Sequence, residues 1–457
     1  MKKITFLIYL ISIVGYAQTT TIPDPNFEQA LIDLGIDTNS TIDGVVPTAS
    51  ISSLTSLDVS WKNIEDLTGI ADFTALTLLD CGYNQLTSLD VSTNTTLTTL
   101  DCDGNQLTSL DVSTNTALTT LYCGSNQLTS IDLSNNTELT SLWCHSNQLT
   151  SIDVNVNTAL TGLRCDTNQL TTLDVSNNTA LTDLICYNNQ LTTLDVTANT
   201  ALYRLGCGSN PLTSIDVSNN TELTYLRCYS NQLTSIDVSS NTALTLLDCG
   251  FNQLTSIDVS NNTTLSFLFC DTNQLTSIDM SSNTALIWLF CDTNQLTSLD
   301  VSSNTSLIVL YCYGNQLTSL DVRNGNNAAF NDYDFRASYN PNLTCVLVDD
   351  ADWSATNWTH IDTTSTFVND ETECTALSIA DNTLELVMSV YPNPTDSNLF
   401  IEGNETPVMV SIYNVLGKEV ISTKNTNNID VKALPSGVYI IRISDGVRQT
   451  NRKFIKN

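Results

Sequence analysis

The chain has 457 residues, which exceeds the size of one ordinary hydrophobic core, so we expect several structural units. It carries 48 acidic and 16 basic side chains, a net charge of −32, and such a surface repels nucleic acid and anionic membranes. No nucleic-acid partner is therefore expected. Only two histidines occur, His145 and His360, which leaves little material for a histidine triad or a multi-histidine metal site.

Residues 1–17 predict an export signal. Two lysines precede an apolar run from Ile4 to Val14, and the segment Gly15–Ala17 places small residues at both positions that favour cleavage. The run is short for a bilayer span, and no later stretch reaches that length. We therefore expect export from the cytoplasm and no transmembrane segment.

Residues 18–53 are predicted to form an N-terminal cap for the repeats that follow. Within it, Asp24-Pro25-Asn26 favours the start of a short helix from Phe27 to Leu34. Gly35 favours the end of this helix, because glycine readily adopts the left-handed conformation that terminates helices.

Residues 54–322 contain a repeat of 21 residues. Twelve cysteines recur at this spacing, from Cys81 to Cys312, and the unit at residues 97–117 reads LTTLDCDGNQLTSLDVSTNTA. An irregular first unit begins at Leu54 and carries Lys62 where the asparagine of the repeat belongs. The units match the pattern L-x-x-L-x-L-x-x-N-x-L, with cysteine at the third apolar position. The segment therefore resembles the leucine-rich-repeat proteins, which implies a solenoid of stacked coils.

Each unit contains one predicted strand and a return segment made of turns. Leu100 and Cys102 alternate with Asp101 and Asp103, as in a strand with one buried face. The return half is rich in Asp, Ser, Asn and Thr, which favour turns over helix. Because no unit can bury its apolar face alone, stability must come from stacking. We predict a β-rich leucine-rich-repeat solenoid with a parallel β-sheet on the concave face and little helix.

Cysteine and asparagine recur at buried positions of the repeat. Equivalent cysteines on in-register strands lie about 4.8 Å apart with parallel side chains, wider than the roughly 3.5–4.5 Å between Cβ atoms in a disulfide. We therefore predict buried thiols that act as small hydrophobic side chains, rather than disulfides or metal ligands. Asn105 and its counterparts are predicted to bond backbone groups in the turn after the strand.

Asp111 and its counterparts form a row of carboxylates on the return side. Like charges about 5 Å apart repel, so each one must be compensated. We predict that each caps a backbone N–H in its Asp-Val-Ser turn, in which case stability should fall on acidification. Calcium bound between coils stays open as an alternative, although the glycine-rich calcium nonapeptide pattern is absent. Threonine rows through Thr108 and Thr116 fit turn bonding or a face that orders water.

Variation among the repeats gathers at strand positions whose side chains face the concave surface. Between Leu76 and Val322 the only basic residues are three arginines, all at concave positions, and aromatic residues accumulate there toward the C-terminal coils. Exposed aromatic patches are typical of interaction sites. The alternative is that these residues form cross-strand aromatic pairs that only stabilise the sheet. The predicted ligand-binding residues are Arg164, Arg204, Arg227, Tyr225, Tyr229, Phe269, Trp288, Phe290, Tyr311 and Tyr313.

Residues 323–376 are predicted to form the C-terminal cap. Asn342–Cys345 resembles one last strand, and Trp353 and Trp358 are placed to cover the last coil. An exposed solenoid end would leave apolar surface and an unpaired strand edge, so such a cap is required.

Two cysteines lie outside the 21-residue register, Cys345 and Cys374. Because they enclose a short loop in a chain with a predicted export signal, we expect a disulfide between them. Loop closure would then contribute about 3–4 kcal/mol to stability.

The chain changes character after a predicted polar linker, residues 377–387. From Met388 onward, short alternating strands separated by turn residues predict a small C-terminal β-sandwich. Residues 388–457 resemble the type A sorting domain of the type IX secretion system, and the matching motifs are Tyr391–Pro394, Ile412–Lys418, Leu434–Tyr439 and Arg452–Asn457. The resemblance implies export across a Gram-negative outer membrane by the type IX secretion machinery, removal of the domain, and release or surface attachment.

The remainder resembles bacterial surface leucine-rich-repeat proteins. The N-terminal block and its run into Leu67–Ile70 are similar to internalin-type repeats, whose functions are mostly adhesion and partner binding. We therefore predict a secreted or cell-surface binding protein that recognises a protein or glycan ligand on the concave face, without a cofactor. A passive structural or matrix protein is the alternative.

An enzyme is disfavoured. Four carboxylates are predicted on the concave face, Asp166, Asp183, Asp271 and Asp292, and a glycosidase needs only two. We expect an open sheet to leave their pKa values low, because raising an acid's pKa requires an enclosed apolar pocket. The sequence also shows no nucleophile elbow, zinc motif or phosphate loop.

Overall fold

The computed structural model describes residues 18–374, 388–403, 409–444 and 449–457. The predicted export signal and the predicted linker lie outside these residues. The chain forms two compact units, divided between Phe367 and Val368. In the described part of the chain, no helix is long and apolar enough to span a bilayer.

The N-terminal cap contains a two-stranded antiparallel sheet and two helices. The elements are β1 (Thr19–Thr21), α1 (Pro25–Asp33), β2 (Val45–Pro47) and α2 (Thr48–Ile51). Helix α1 begins earlier than predicted because one carboxylate oxygen of Asp24 accepts hydrogen bonds from the backbone N–H groups of Asn26 and Phe27. The other oxygen accepts from Glu65 and Asp66, at 2.7 and 2.9 Å, so a single side chain ties the cap to the first coil.

The coils stack into one parallel sheet of fourteen strands, which confirms the predicted solenoid. Equivalent residues pair in register, and a cysteine follows most strands directly. Short 3-10 turns occur at Ile70–Asp72 and Asn327–Ala329. The strands are β3 (Ser56–Asp58), β4 (Leu78–Asp80), β5 (Thr99–Asp101), β6 (Thr120–Tyr122), β7 (Ser141–Trp143), β8 (Gly162–Arg164), β9 (Asp183–Ile185), β10 (Arg204–Gly206), β11 (Tyr225–Arg227), β12 (Leu246–Asp248), β13 (Phe267–Phe269), β14 (Trp288–Phe290), β16 (Val309–Tyr311) and β18 (Phe335–Arg336).

The return side of most coils consists of turns, as predicted. Only the last coils form a second sheet there, in the order β15 (Ser298–Asp300), β17 (Ser319–Asp321), β19 (Cys345–Leu347) and β20 (Thr366–Val368). The predicted strand at Asn342–Cys345 is displaced toward the C-terminus, because Leu343 lies in a turn closed by its N–H to the carbonyl of Asn340. The C-terminal cap is completed by α3 (Ala351–Asn357).

The C-terminal cap buries aromatic side chains against the end of the solenoid. The ring of Trp358, 2% exposed, stacks on Phe335 with centroids 4.1 Å apart, and Trp353 packs edge-on at 5.8 Å. This confirms the predicted covering role of the two tryptophans. Cys345 and Cys374 are disulfide-bonded, as predicted.

Two asparagine ladders hold the coils together. The predicted one is represented by Asn189, whose amide donates to the carbonyls of Cys165 and Cys186, both at 3.1 Å, and accepts from the N–H of Leu170 at 3.0 Å. The second, which we did not predict, runs along the return side: the fully buried Asn178 donates to the carbonyls of Val154 and Asn157 at 2.9 Å. Each ladder supplies partners for backbone carbonyls that the tight coil would otherwise bury unpaired.

The twelve repeat cysteines are buried and carry free thiols, as predicted. Burial raises their pKa well above the ordinary value, as at Cys186, so the reactive thiolate is suppressed. The Asp row is also as predicted: an oxygen of Asp111 accepts the backbone N–H of Ser113 at 2.9 Å. No group of three or more metal-ligating side chains occurs among the described residues, and calcium bound between coils stays an untested alternative.

The C-terminal unit is the predicted small β-sandwich. Two antiparallel sheets contribute to one core, which includes Leu399, Ile412, Ile441 and Phe454. The first sheet contains β21 (Met388–Tyr391), β22 (Asn398–Gly403) and β25 (Asn428–Asp430); the second contains β23 (Met409–Asn414), β24 (Glu419–Lys424), β26 (Gly437–Ser444) and β27 (Gln449–Lys456).

Substitution of a ladder asparagine should weaken the solenoid. We expect Asn189→Ala to lower the free energy of unfolding by about 2–3 kcal/mol, because it leaves buried backbone groups of two coils without partners. Denaturant titration followed by circular dichroism measures the change. The control is Asn177→Ala, because Asn177 is exposed and its amide makes only 3.4 Å contacts with Asn155. Equal losses in both variants would contradict the role of the ladder.

The repeat thiols should be inert until the coils open. We expect the thiols of the native protein to react only slowly with a disulfide reagent that changes colour on reaction, because all twelve side chains are buried. In guanidinium chloride all twelve should react, while Cys345 and Cys374 stay protected as a disulfide. Fast reaction of several thiols in the native state would show that the ladder is open to solvent.

Candidate functional site on the concave sheet

The concave surface is built by the alternation within each three-residue strand. In β11 the central Leu226 is fully buried, while Tyr225 and Arg227 on either side are partly exposed. Because the strands pair in register, the outward residues form two columns, at the positions three and one before each cysteine. All ten predicted ligand-binding residues lie on these columns or just after them, and each is at least partly exposed.

The first group of predicted residues, here named the arginine–tyrosine cluster, consists of Arg164, Arg204, Arg227, Tyr225 and Tyr229. Tyr225 lies between two guanidinium groups, with the carbon of Arg204 5.0 Å and that of Arg227 5.1 Å from its ring centre. Each such contact contributes about 0.5–1 kcal/mol at an exposed site. The cluster is thus preorganised by cation–π contacts.

Each arginine of this cluster also meets a carboxylate. Nε of Arg164 lies 2.9 Å from Oδ1 of Asp166, which is almost fully buried. Arg204 is held more loosely, with Nη1 3.5 Å from Asp183, and Nε of Arg227 lies 3.6 Å from Asp248. The cluster therefore carries little net charge, and the guanidinium groups of Arg204 and Arg227 keep hydrogen-bonding capacity for a ligand.

Two adjoining depressions lie in this cluster. Their volumes are about 380 and 250 Å³, and both arise where a glycine replaces an outward side chain, at Gly162 and at Gly206. The larger is lined by Trp143, Gly162, Leu163, Arg164, Asp183, Ile185, Tyr187 and Arg204; the smaller by Ile185, Tyr187, Arg204, Gly206, Tyr225, Arg227 and Tyr229. Sequence reasoning missed the two glycines, although comparison of the repeats position by position could have found them.

The second group, here named the aromatic cluster, consists of Phe269, Trp288, Phe290, Tyr311 and Tyr313. The rings of Phe290 and Tyr311 stack at 4.4 Å, and Phe269 meets Phe290 edge-on at 4.8 Å. Trp288 is 39% exposed, which is high for a side chain of its size. The cluster combines mutual packing with an apolar surface that remains open to a partner.

Arg336 extends the aromatic cluster and was not predicted. Its guanidinium carbon lies 4.8 Å from the ring of Tyr311, because β18 pairs with β16 in the same sheet. Strand β18 was not predicted from the sequence because the spacing of this coil is irregular and Ala337 stands at the cysteine position. The available signal in the sequence was Asn340, which stands three residues after Ala337 as the ladder asparagine stands after each cysteine. Its amide donates to the carbonyl of Cys312, as in the other coils.

The structure separates the ten predicted residues into two clusters. Strand β12 lies between them and presents Leu246 and Asp248 outward, in register with Tyr225 and Arg227. A stacked aromatic pair also occurs outside both clusters: Trp61 and Tyr83, in the turns that follow β3 and β4, have ring centres 4.1 Å apart. Aromatic packing therefore also stabilises parts of the sheet outside the predicted site.

The expectation that concave carboxylates keep low pKa values is wrong for Asp183, Asp271 and Asp292. Burial raises the pKa of Asp271 to about 6, with a further contribution from the nearby Asp292, and it raises the pKa of Asp183 and of Asp292 as well. The physical reason is crowding, because side chains on strands about 4.8 Å apart exclude water from each other even on an open face. The prediction of a non-enzymatic protein therefore loses this argument and remains a prediction.

Stability should peak at mildly acidic pH. Burial raises the pKa values of Asp103, Asp248 and Asp271 from 3.8 to about 6, so the fold gains stability as the pH falls from 7 toward 4 and these groups take up protons. The return row behaves oppositely: hydrogen bonds from Ser113 lower the pKa of Asp111, and this contribution is lost below about pH 4.

The measurement is the melting temperature between pH 3 and 8, with the variant Asp271→Asn beside the parent. We expect a maximum between about pH 4 and 6, and a smaller rise from pH 7 in the variant, because one raised carboxyl is removed. A melting temperature that only declines from pH 7 downward would contradict the raised pKa values.

Comparisons with known proteins agree with this architecture. Residues 389–457 match the family described as the secretion system C-terminal sorting domain, and residues 95–136 and 116–157 match the leucine-rich repeats. The solved functional domain of InlJ from Listeria monocytogenes, which includes a cysteine ladder, is 31% identical with a TM-score of 0.63; the alignment covers 97% of this chain and 100% of that domain.

Two further relatives are internalins of Listeria monocytogenes. The structure of internalin InlF from strain 4b F2365 is 24% identical with a TM-score of 0.55, over 77% of this chain and 96% of that one, and supports the fold alone. Internalin J of serotype 4b (strain F2365) is 51% identical over 45 residues. That stretch is 10% of this chain and 5% of internalin J, so the matched part spans a small fraction of the relative's length.

Proposed function

Since this chain belongs to the internalin-type leucine-rich-repeat family and ends in a type IX secretion sorting domain, we propose that it is an adhesion or binding protein that holds a protein or glycan ligand on its concave face. The sorting domain directs the chain through the type IX secretion machinery to the cell surface or the extracellular space. The proposal concerns what the exported solenoid does there.

The observation that carries the proposal is the uneven distribution of side chains over the solenoid. The only basic residues between Leu76 and Val322 lie in the arginine–tyrosine cluster, and the aromatic cluster follows two strands later on the same sheet. Arginine, tyrosine and tryptophan are the residue types that dominate binding energy at protein interfaces. The return face, by contrast, repeats the same turns of Asp, Ser, Asn and Thr from coil to coil.

A passive structural or matrix role is the second candidate. The aromatic pair Trp61–Tyr83 favours it, because these rings stack on each other outside both clusters and outside the two depressions. The exposed threonine rows through Thr108 and Thr116 would then contact ice or mineral. This candidate predicts that no soluble ligand binds the concave face.

Binding should depend on the two clusters. The full chain is applied to arrays of surface proteins and glycans beside the variant Trp288→Ala/Phe290→Ala/Arg227→Ala. We expect the variant to lose binding by tenfold or more for at least one ligand, because truncated hot-spot side chains cost 2 kcal/mol or more each. Melting curves of both proteins verify that the variant is folded.

The matched control is Trp61→Ala/Tyr83→Ala, which removes a stacked aromatic pair near the opposite end of the same sheet. It should retain binding, since these residues lie outside both clusters. Equal losses in the two variants would indicate a general effect on the sheet. Absence of binding by the parent chain would favour the structural role.

A further inference from the structure

Gly162 and Gly206 are exceptions among the outward positions of the sheet. Each is the only glycine in its column, where the other eleven repeats with cysteine carry a side chain. A Cβ added at Gly162 would meet only the hydroxyl of Ser141 at 3.8 Å, and one at Gly206 would meet the flexible end of Ile185 at 3.1 Å. A Cβ would therefore fit at Gly162 without any clash, and at Gly206 only the end of the Ile185 side chain would have to move.

The two glycines open one continuous groove. The depressions of about 380 and 250 Å³ that they create share Ile185, Tyr187 and Arg204 as common walls. The glycines lie on β8 and β10, two strands and therefore about 10 Å apart across the sheet. A ligand that fills both depressions must be elongated and must cross the strands obliquely.

The charges in the groove are balanced. The guanidinium groups of the three arginines that line it are each paired with a carboxylate: Arg164 with Asp166 at 2.9 Å, Arg204 with Asp183 at 3.5 Å and Arg227 with Asp248 at 3.6 Å. An anionic ligand would have to draw an arginine away from its paired carboxylate, and a cationic ligand would have to draw Asp183, the one carboxylate that lines the groove, away from Arg204. A neutral ligand with neighbouring hydroxyl groups can accept from Arg204 and donate to Asp183 without leaving either charge unpaired.

The remaining walls are apolar and aromatic. Trp143, Ile185 and Tyr187 line the larger depression, and Tyr225 and Tyr229 line the smaller one. Aromatic faces pack well against the C–H groups of a sugar ring, while their edges and hydroxyls contact water or sugar hydroxyls. The combination of ring faces with a charge-balanced hydrogen-bonding pair suits a sugar better than a charged peptide.

We propose that this groove binds a neutral oligosaccharide, with one sugar ring in the depression at Gly162 and another in the depression at Gly206. The proposal deepens the proposed function and rests on it. It assigns the glycan to the arginine–tyrosine cluster, and it leaves the aromatic cluster outside the sugar site.

The test fills the groove without changing its charges. Leucine is compatible with this column of the sheet, because Leu78 and Leu246 already occupy it in other coils. In the full-length chain, Gly162→Leu blocks the larger depression. Thr99→Leu adds the same side chain at the equivalent position of β5, away from the groove, and serves as the matched control.

The probe is an array of neutral oligosaccharides together with acidic ones that carry uronic acid or sulfate groups. We expect the parent chain and Thr99→Leu to bind neutral oligosaccharides, and Gly162→Leu to lose at least tenfold in affinity while melting at the same temperature. The variant Trp288→Ala/Phe290→Ala should keep sugar binding, because it leaves the groove intact. Retained binding in Gly162→Leu, or binding of acidic sugars alone, would overturn the proposal.

The outcomes separate this proposal from the broader one. If no oligosaccharide binds but a protein on the surface array does, and the Trp288→Ala/Phe290→Ala/Arg227→Ala variant loses that protein, the sugar groove is refuted while the binding function stands. If neither array shows binding by the parent chain, both proposals fail.

Discussion

Registration of each coil on the one before it is the constraint from which the rest of this structure follows. A ladder asparagine such as Asn189 donates to carbonyls of its own coil and of the preceding coil, and accepts an N–H from the preceding coil as well. Backbone groups that no helix or long strand satisfies are thereby paired, coil after coil. The same registration places twelve cysteines in one buried row, where they fill space as small apolar groups.

Registration also decides the electrostatics of the two faces. On the concave side, neighbouring strands crowd carboxylates such as Asp248, and burial raises its pKa to about 6. On the return side, carboxylates such as Asp111 are fully exposed and bind the N–H two residues ahead, and this lowers the pKa of Asp111. The pKa of one residue type is thus raised on the concave side, where burial is the largest cause, and lowered on the return side, where hydrogen bonds are.

The sequence predicted the solenoid, the cysteine ladder and one of the two asparagine ladders, because a fixed 21-residue spacing leaves few alternatives. It predicted the C-terminal sandwich from short alternating strands separated by turn residues. It did not predict Arg336, since Ala337 replaces the cysteine and the spacing of that coil is irregular. The groove at Gly162 also escaped prediction, because an absent side chain creates it, whereas arginine and aromatic residues indicate a binding site by their presence. The division of the site by β12 required the strand pairing itself.

The nearest-neighbour character of the stack has a consequence for how this surface can change over generations. Ladder bonds reach only the adjacent coil, so duplication or loss of one 21-residue unit leaves every other coil intact. The unit that contains Leu246–Asp248 separates the groove from the aromatic cluster. Duplication or loss of units at that point would change the distance between the groove and the aromatic cluster in steps of about 4.8 Å, and neither site would be altered.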